Sequence, residues 1–135
     1  MAGPARGAHH RPMSNAQRIA VVLDDDALSA RGMTFNLADW GYRTSTAESC
    51  AGLDPDTHAQ EVDLVVVDYW LGGRDGIGEA LKLASRAGRT LPTIVMTDGH
   101  DADEMLAAGR HGFAALCKPV DPLLLEAVIA RVSGR

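Results

Sequence analysis

A chain of 135 residues has room for one domain around one hydrophobic core, and 46% hydrophobic with 23% charged residues is the balance of a globular protein. Apolar runs are four to five residues long, far short of the roughly 20 needed to span a bilayer, so no membrane segment is expected. Residues 1–18 carry Arg6, Arg11 and Arg18 and no acid, a net of +3, while the remainder holds ten basic and eighteen acidic residues, a net of −8. Such an acidic body excludes general nucleic-acid binding, which requires clustered Lys and Arg against phosphates.

The first residues, MAGPARGAHHRPMSNAQR, are rich in Gly, Pro, Ala and His and have no apolar segment. Residues 1–17 therefore read as a flexible tail, neither signal peptide nor anchor, with the folded domain over 18–135. His9 and His10 could hold a stray metal ion, but two histidines in a tail make a weak site. IAVVL (19–23) is a β-rich run that stops at Asp24, Asp25 and Asp26. Leu28, Met33, Leu37 and Trp40 then recur near helical spacing, closed by Gly41 as C-cap. YRTST (42–46) alternates like a strand at a sheet edge, and AESCAGLDPDTHAQ (47–60) reads as a short helix interrupted near Pro55.

DLVVV (63–67) is a buried strand ending on Asp68, followed by the Gly72-Gly73 loop. IGEALKLASRAG (77–88) puts Ile77, Ala80, Leu81 and Ala84 on one helical face. TIVMT (93–97) is the next strand, DADEMLAAGRHG (101–112) a short helix with dipole-favoured acids in its first turn, and FAALC (113–117) the fifth strand. PLLLEAVIARV (122–132) closes the chain as a helix with Pro122 in its first turn. Five βα units of near-continuous apolar strands imply an α/β fold, a doubly wound parallel sheet with helices on both faces. Cys50 and Cys117 form no metal or redox motif and read as buried small hydrophobes in a reducing compartment, the cytoplasm.

In such a sheet, ligands bind beyond the carboxyl ends of the strands. Asp24 and Asp25, Asp68, Thr97 and Lys118 all fall at strand ends. Three carboxylates repel one another, and a hard divalent cation with oxygen ligands, Mg²⁺ above all, offsets that. A phosphoryl group on one acid would then meet the metal on one side and Lys118 and Thr97 on the other. Each residue also has a plainer reading: Asp24 to Asp26 as a helix N-cap cluster, Asp68 as a loop cap, Thr97 as a strand end, Lys118 as a solvated charge.

The ordered set VVLDDD, DLVVVDYWLGGRDG, PTIVMT and CKPV, supported by LADWGY and by Asp75-Gly76, resembles the receiver domain of two-component response regulators over about Ile19 to Val132. The resemblance implies a flavodoxin-like five-stranded sheet of order 2-1-3-4-5. It implies that Asp68 accepts the phosphoryl group, and that Asp25 and Asp68 bind Mg²⁺ directly with Asp24 acting through a metal-bound water. Trp70 would lend its backbone carbonyl to the metal, Thr97 and Lys118 would bind phosphoryl oxygens, and Pro119 would follow a cis peptide.

Leu71-Gly72 replaces the usual Met-Pro, giving a more flexible loop. Asp98 stands where a small residue is usual, either as a fourth carboxylate near the site or as an N-cap. Ala115 stands where an aromatic is usual, with Phe113 displaced along the strand. The expected function is a free-standing phosphoacceptor, with no output domain, of the kind also found at the C-terminus of hybrid sensor kinases. The resemblance implies a phosphorelay component and not a turnover enzyme. Its donor would be a histidine kinase or histidine phosphotransferase, and its output a protein partner. Leu123 to Leu125 leave a homodimer through the last helices open. The alternatives are a pseudo-receiver interaction module and an aspartyl-nucleophile phosphohydrolase, the latter opposed by Trp70 where such enzymes carry a second acid.

Overall fold

The computed structural model describes residues 17–99 and 101–134; the expected tail, apart from Gln17, and its His9-His10 pair lie outside the described residues. Five parallel strands form the main sheet: β1 (Arg18–Leu23), β2 (Tyr42–Ala47), β3 (Leu64–Asp68), β6 (Thr93–Thr97) and β7 (Ala114–Cys117), in the spatial order β2-β1-β3-β6-β7. Counted among themselves they follow the expected order 2-1-3-4-5. A small hairpin, β4 (Trp70–Leu71) with β5 (Arg74–Asp75), follows β3. The helices are α1 (Ala27–Asp39), α2 (Gly76–Ala87), α3 (Ala102–Arg110) and α4 (Pro122–Val132).

Strand residues alternate between the sheet's faces, and both faces are apolar because both are covered. Val21, Leu23, Val65, Val67 and Val95 pack under α2 and α3, with Ile77, Leu83 and Ala108 from those helices. Ala20, Val22, Leu64, Val66 and Ile94 pack under α1 and α4, with Met33, Leu37, Leu125 and Ile129. Full burial of each Val or Leu contributes roughly 1.5–3 kcal/mol. Helical phase divides the other apolar residues. Leu125 enters the core while Leu123 and Leu124 stay exposed, and in α2 Leu83 is buried while Leu81, expected inside, faces out. Of the two cysteines Cys50 is buried as expected, whereas Cys117 is exposed at the end of the edge strand β7.

The expected helix over 47–60 does not form. Its place is taken by an irregular segment with two 3₁₀ turns, Cys50–Gly52 and Ala59–Glu61. Between them the Asp54 carboxylate accepts the Asp56 N–H at 2.9 Å, a local bond that competes with helix, and Pro55 lacks the N–H a helix would use. Side chains of α2 and of Arg89 just beyond it satisfy the backbone left over. Buried Glu79 accepts the Cys50 N–H at 2.9 Å, and Arg89 donates to the carbonyls of Gln60 at 2.9 Å and Val62 at 2.8 Å. Its hydrogen bond to Lys82 holds the Glu79 carboxyl below the usual glutamate range despite burial, so it accepts as a carboxylate.

The loop expected to be flexible after Asp68 is a tight hairpin. Gly72 (φ 55°) and Gly73 (φ 91°) are both left-handed, as a two-residue hairpin turn of type I′ demands. Where the hairpin enters α2, the Gly76 N–H donates to the Tyr69 carbonyl at 2.7 Å. A Cβ on Gly76 would collide with the backbone carbonyl of Asp68. Gly76→Ala is therefore expected to destabilise the protein by about 3 kcal/mol or more in urea unfolding, as overpacking against rigid backbone does. Wild-type stability in that variant would mean that the loop yields freely.

Candidate functional site

Register brings the polar residues together. Leu23 lies opposite Val67, so Asp24 and Asp68 emerge side by side from β1 and β3. Asp68 lies opposite Met96, one residue before Thr97, and Thr97 lies opposite Cys117, one residue before Lys118. The backbone keeps this alignment past the strands. Tyr69 N–H donates to the Met96 carbonyl at 2.9 Å and Lys118 N–H to the Thr97 carbonyl at 2.8 Å. The Lys118–Pro119 peptide is cis, as expected.

One carboxylate oxygen from each of Asp24, Asp25 and Asp68 lies within 4.8 Å of the other two. Asp24 is buried, Asp68 half-buried and Asp25 exposed. The three neighbouring acids of the first loop divide their work. Asp26 is the N-cap of α1, its carboxylate accepting the N–H groups of Leu28 at 3.0 Å and Ser29 at 3.4 Å. Asp24 accepts the Asp26 N–H at 2.9 Å, which fixes its rotamer at the site's edge. The capping reading thus holds for Asp26 and leaves Asp24 and Asp25 to the cluster.

Lys118 Nζ donates to Asp68 Oδ2 at 2.9 Å. Burial pushes the Asp68 carboxyl above its ordinary value, outweighing the downward pull of Lys118, and Asp24 and Asp25 add to the rise. Burial pulls the Lys118 ammonium down, but the carboxylates of Asp68, Asp24 and Asp98 more than offset this and hold it above its ordinary value. Both shifts have one cause in common: three carboxylates face one ammonium, so a site in excess of negative charge retains protons. An oxygen-only donor set of this charge matches a hard divalent cation.

Thr97 is at the expected strand end, but its hydroxyl faces Met105 Sδ of α3 at 3.6 Å and Cys117 Sγ at 3.9 Å. Trp70 is also where expected, on β4 two residues past Asp68. Its indole is not idle, donating from Nε1 to Glu104 Oε2 of α3 at 3.2 Å. Asp98 does not cap α3, because Asp101 does, accepting the Asp103 N–H at 2.9 Å. Asp98 is exposed and faces the same groove as Lys118, leaving its fourth-carboxylate reading. Ala115 lies half-buried in β7, and Phe113 sits just before that strand, stacked on His111. Glu104 escaped the sequence reading because it looked like one more first-turn acid. Its position three residues after the Asp101 cap was the available signal, since that spacing turns a side chain back toward the helix start.

A family profile described as the response regulator receiver domain matches residues 20–130. Over 110 residues the chain is 30% identical to the transcriptional regulatory protein ZraR of Klebsiella oxytoca, covering 81% of this chain and 25% of that protein. The chain thus spans about a quarter of ZraR and, at 44%, less than half of a second relative, the uncharacterized transcriptional regulatory protein YbdJ of Bacillus subtilis, to which it is 29% identical over 76% of its own length. Among solved structures, a response regulator receiver protein from Burkholderia phymatum is 28% identical with a TM-score of 0.70, covering 87% of this chain and 96% of that one. The receiver domain of the sensor histidine kinase PA1611 from Pseudomonas aeruginosa, described with a magnesium ion in its active-site cleft, shares the fold at 21% identity and a TM-score of 0.68, covering 89% of this chain and all of that one.

The charge balance predicts how stability responds to Asp68. A carboxyl whose folded pKa is raised stabilises the fold fully only below its unfolded value, and that contribution is lost as pH rises through the folded value. Metal-free Asp68→Asn should therefore melt above wild type at pH 7, with the gap closing as pH falls through the aspartate range. Scanning calorimetry over that range checks it, and a variant less stable at pH 7 would show that the Lys118 bond outweighs burial.

Proposed function

The chain belongs to the response regulator receiver domain family, and from that premise we propose that Asp68 is the phosphoacceptor of a two-component phosphorelay. The observation that carries the reading is the contact of Lys118 Nζ with Asp68 Oδ2 beside Asp24 and Asp25. An Asp68 oxygen attacks the phosphorus of a phosphohistidine on a histidine kinase or phosphotransferase. As the new O–P bond forms the P–N bond breaks, and its electron pair returns to the imidazole. Lys118, held as an ammonium, neutralises a phosphoryl oxygen, and Thr97 donates its hydroxyl to another on turning from Met105 and Cys117. Asp25 and Asp68, the Trp70 carbonyl and, through water, Asp24 are the groups that would hold Mg²⁺. When bound, the ion supplies charge neutralisation for the in-line transfer. The magnesium described for the PA1611 receiver supports this assignment.

The protein in this reading takes part in its own phosphorylation and dephosphorylation without being a turnover enzyme. Among the described residues no helix is long and apolar enough to cross a membrane, and a cytoplasmic relay acting through protein partners agrees with the acidic body. Exposed Leu123 and Leu124 on α4 offer a face to a partner or a second copy. A second reading, the unphosphorylated interaction module, draws on Thr97, whose hydroxyl is turned to sulfur, and on Ala115, too small to follow it.

Incubation with Mg²⁺ and acetyl phosphate, or with beryllofluoride, decides between the two. The receiver predicts one acid-stable, base-labile modification per chain by intact mass, absent in Asp68→Asn and abolished by EDTA. No modification or beryllofluoride binding under any donor would establish the interaction module, and sustained turnover of phosphate esters would establish a hydrolase.

A further inference from the structure

Glu104 is 5% exposed, with Oε1 reaching no hydrogen-bond partner among the described residues. A carboxylate buried in this way is costly and needs a reason. Among the described residues its side chain accepts from the indole of Trp70, which is itself 54% exposed and could have donated to water instead. The bond joins the hairpin that follows β3 to the helix that follows the adjacent strand β6, next to the Asp68 tip.

The segment from Tyr69 to Gly76 is otherwise held by its backbone and by the side chain of Leu71, which is buried in the core. Tyr69 N–H reaches the Met96 carbonyl, Gly76 N–H reaches the Tyr69 carbonyl, and Trp70 pairs with Asp75, the N-cap of α2. All of these fix the hairpin to β6 and α2. Among the described hydrogen bonds the indole's is the one that ties residue 70 to α3, so Glu104 adds a polar anchor for the Trp70 peptide to the apolar packing of its neighbours. The same helix turn carries Met105, which faces Thr97.

We propose that Glu104 is a positioning residue that, through the Trp70 indole, sets the Trp70 backbone carbonyl for the metal beside Asp68 and ties the site to the first turn of α3. The proposal rests on the Mg²⁺-dependent receiver reading given above. Glu104 acts at one remove, through a side chain whose own main chain is the ligand. Partners in the outer shell of a metal site typically change affinity 10- to 100-fold when removed, and a backbone ligand held from one side should respond less, by roughly three- to tenfold.

The test is a double-mutant cycle read by calorimetric titration of the full chain with Mg²⁺ alone. Trp70→Phe keeps the carbonyl and removes the N–H, and Glu104→Ala removes the acceptor. Each is expected to raise the Mg²⁺ Kd by roughly three- to tenfold, and the double variant by no more than either single one. Glu104→Gln, whose amide keeps one oxygen able to accept from the indole, should retain wild-type affinity, and urea unfolding of each variant separates loss of fold from loss of positioning. Wild-type Kd in Glu104→Ala and Trp70→Phe, or additive losses in the double variant, would overturn the proposal while leaving the receiver reading intact. A wild-type chain that binds no Mg²⁺ at millimolar concentration would overturn both, and Mg²⁺ binding without Asp68 phosphorylation would overturn the receiver reading alone.

Discussion

A single ammonium set against three carboxylates at the carboxyl edge of a parallel sheet is the constraint from which the rest of this structure can be understood. Lys118 reaches Asp68 at 2.9 Å, but it cannot neutralise Asp24 and Asp25 as well. The strands hold these acids together because their apolar residues, buried on both faces, gain more from alignment than the acids lose by repulsion. A one-residue slip of any strand would invert its faces and bury polar ends. Packing of the core and geometry of the site are therefore enforced by the same register.

That residual negative charge is what makes the site chemically directed. An oxygen donor set of this charge suits a hard cation, and under the proposed function the phosphorus of a phosphoryl group would follow once a cation is bound. The helices contribute by consuming the acids that would otherwise compete. Asp26, Asp75, Asp101 and Asp121 each cap a helix, which leaves Asp24, Asp25 and Asp68 without such a duty. Two side chains then extend from the site's rim to one turn of α3, Thr97 toward Met105 and Trp70 toward Glu104. A helix touched twice by the rim is well placed to sense what happens at Asp68.

The segment between β2 and β3 shows a different economy of structure. Local bonds at Asp54 and the missing N–H of Pro55 stop a helix from closing, and the core beneath still needs cover. Cys50, Leu53, Ala59 and Val62 supply it from irregular backbone. Glu79 and Arg89 do for that backbone what a helix would have done for itself. The exposed backbone of such a segment costs little because it runs over the surface, where water completes what the side chains do not reach.

By itself the sequence determined the five strands, their parallel arrangement and the residues at their tips, because apolar runs ending on Asp68, Thr97 and Lys118 are local patterns that burial on two faces imposes. It offered Gly76 only as part of a motif, and the fold alone shows the Asp68 carbonyl that a side chain there would strike. Tertiary structure decided what depends on partners distant in the chain. It separated Asp26 from Asp24 and Asp25, and gave the capping of α3 to Asp101 over Asp98. It closed the Gly72-Gly73 loop into a hairpin and replaced the expected helix over 47–60 with a segment tethered by α2 and Arg89. Glu104 is the clearest case. Only its spacing from the Asp101 cap distinguishes it locally from Asp103 beside it, and helical phase buries one against the Trp70 indole and leaves the other in water, a difference that exists only once β3 and β6 lie side by side.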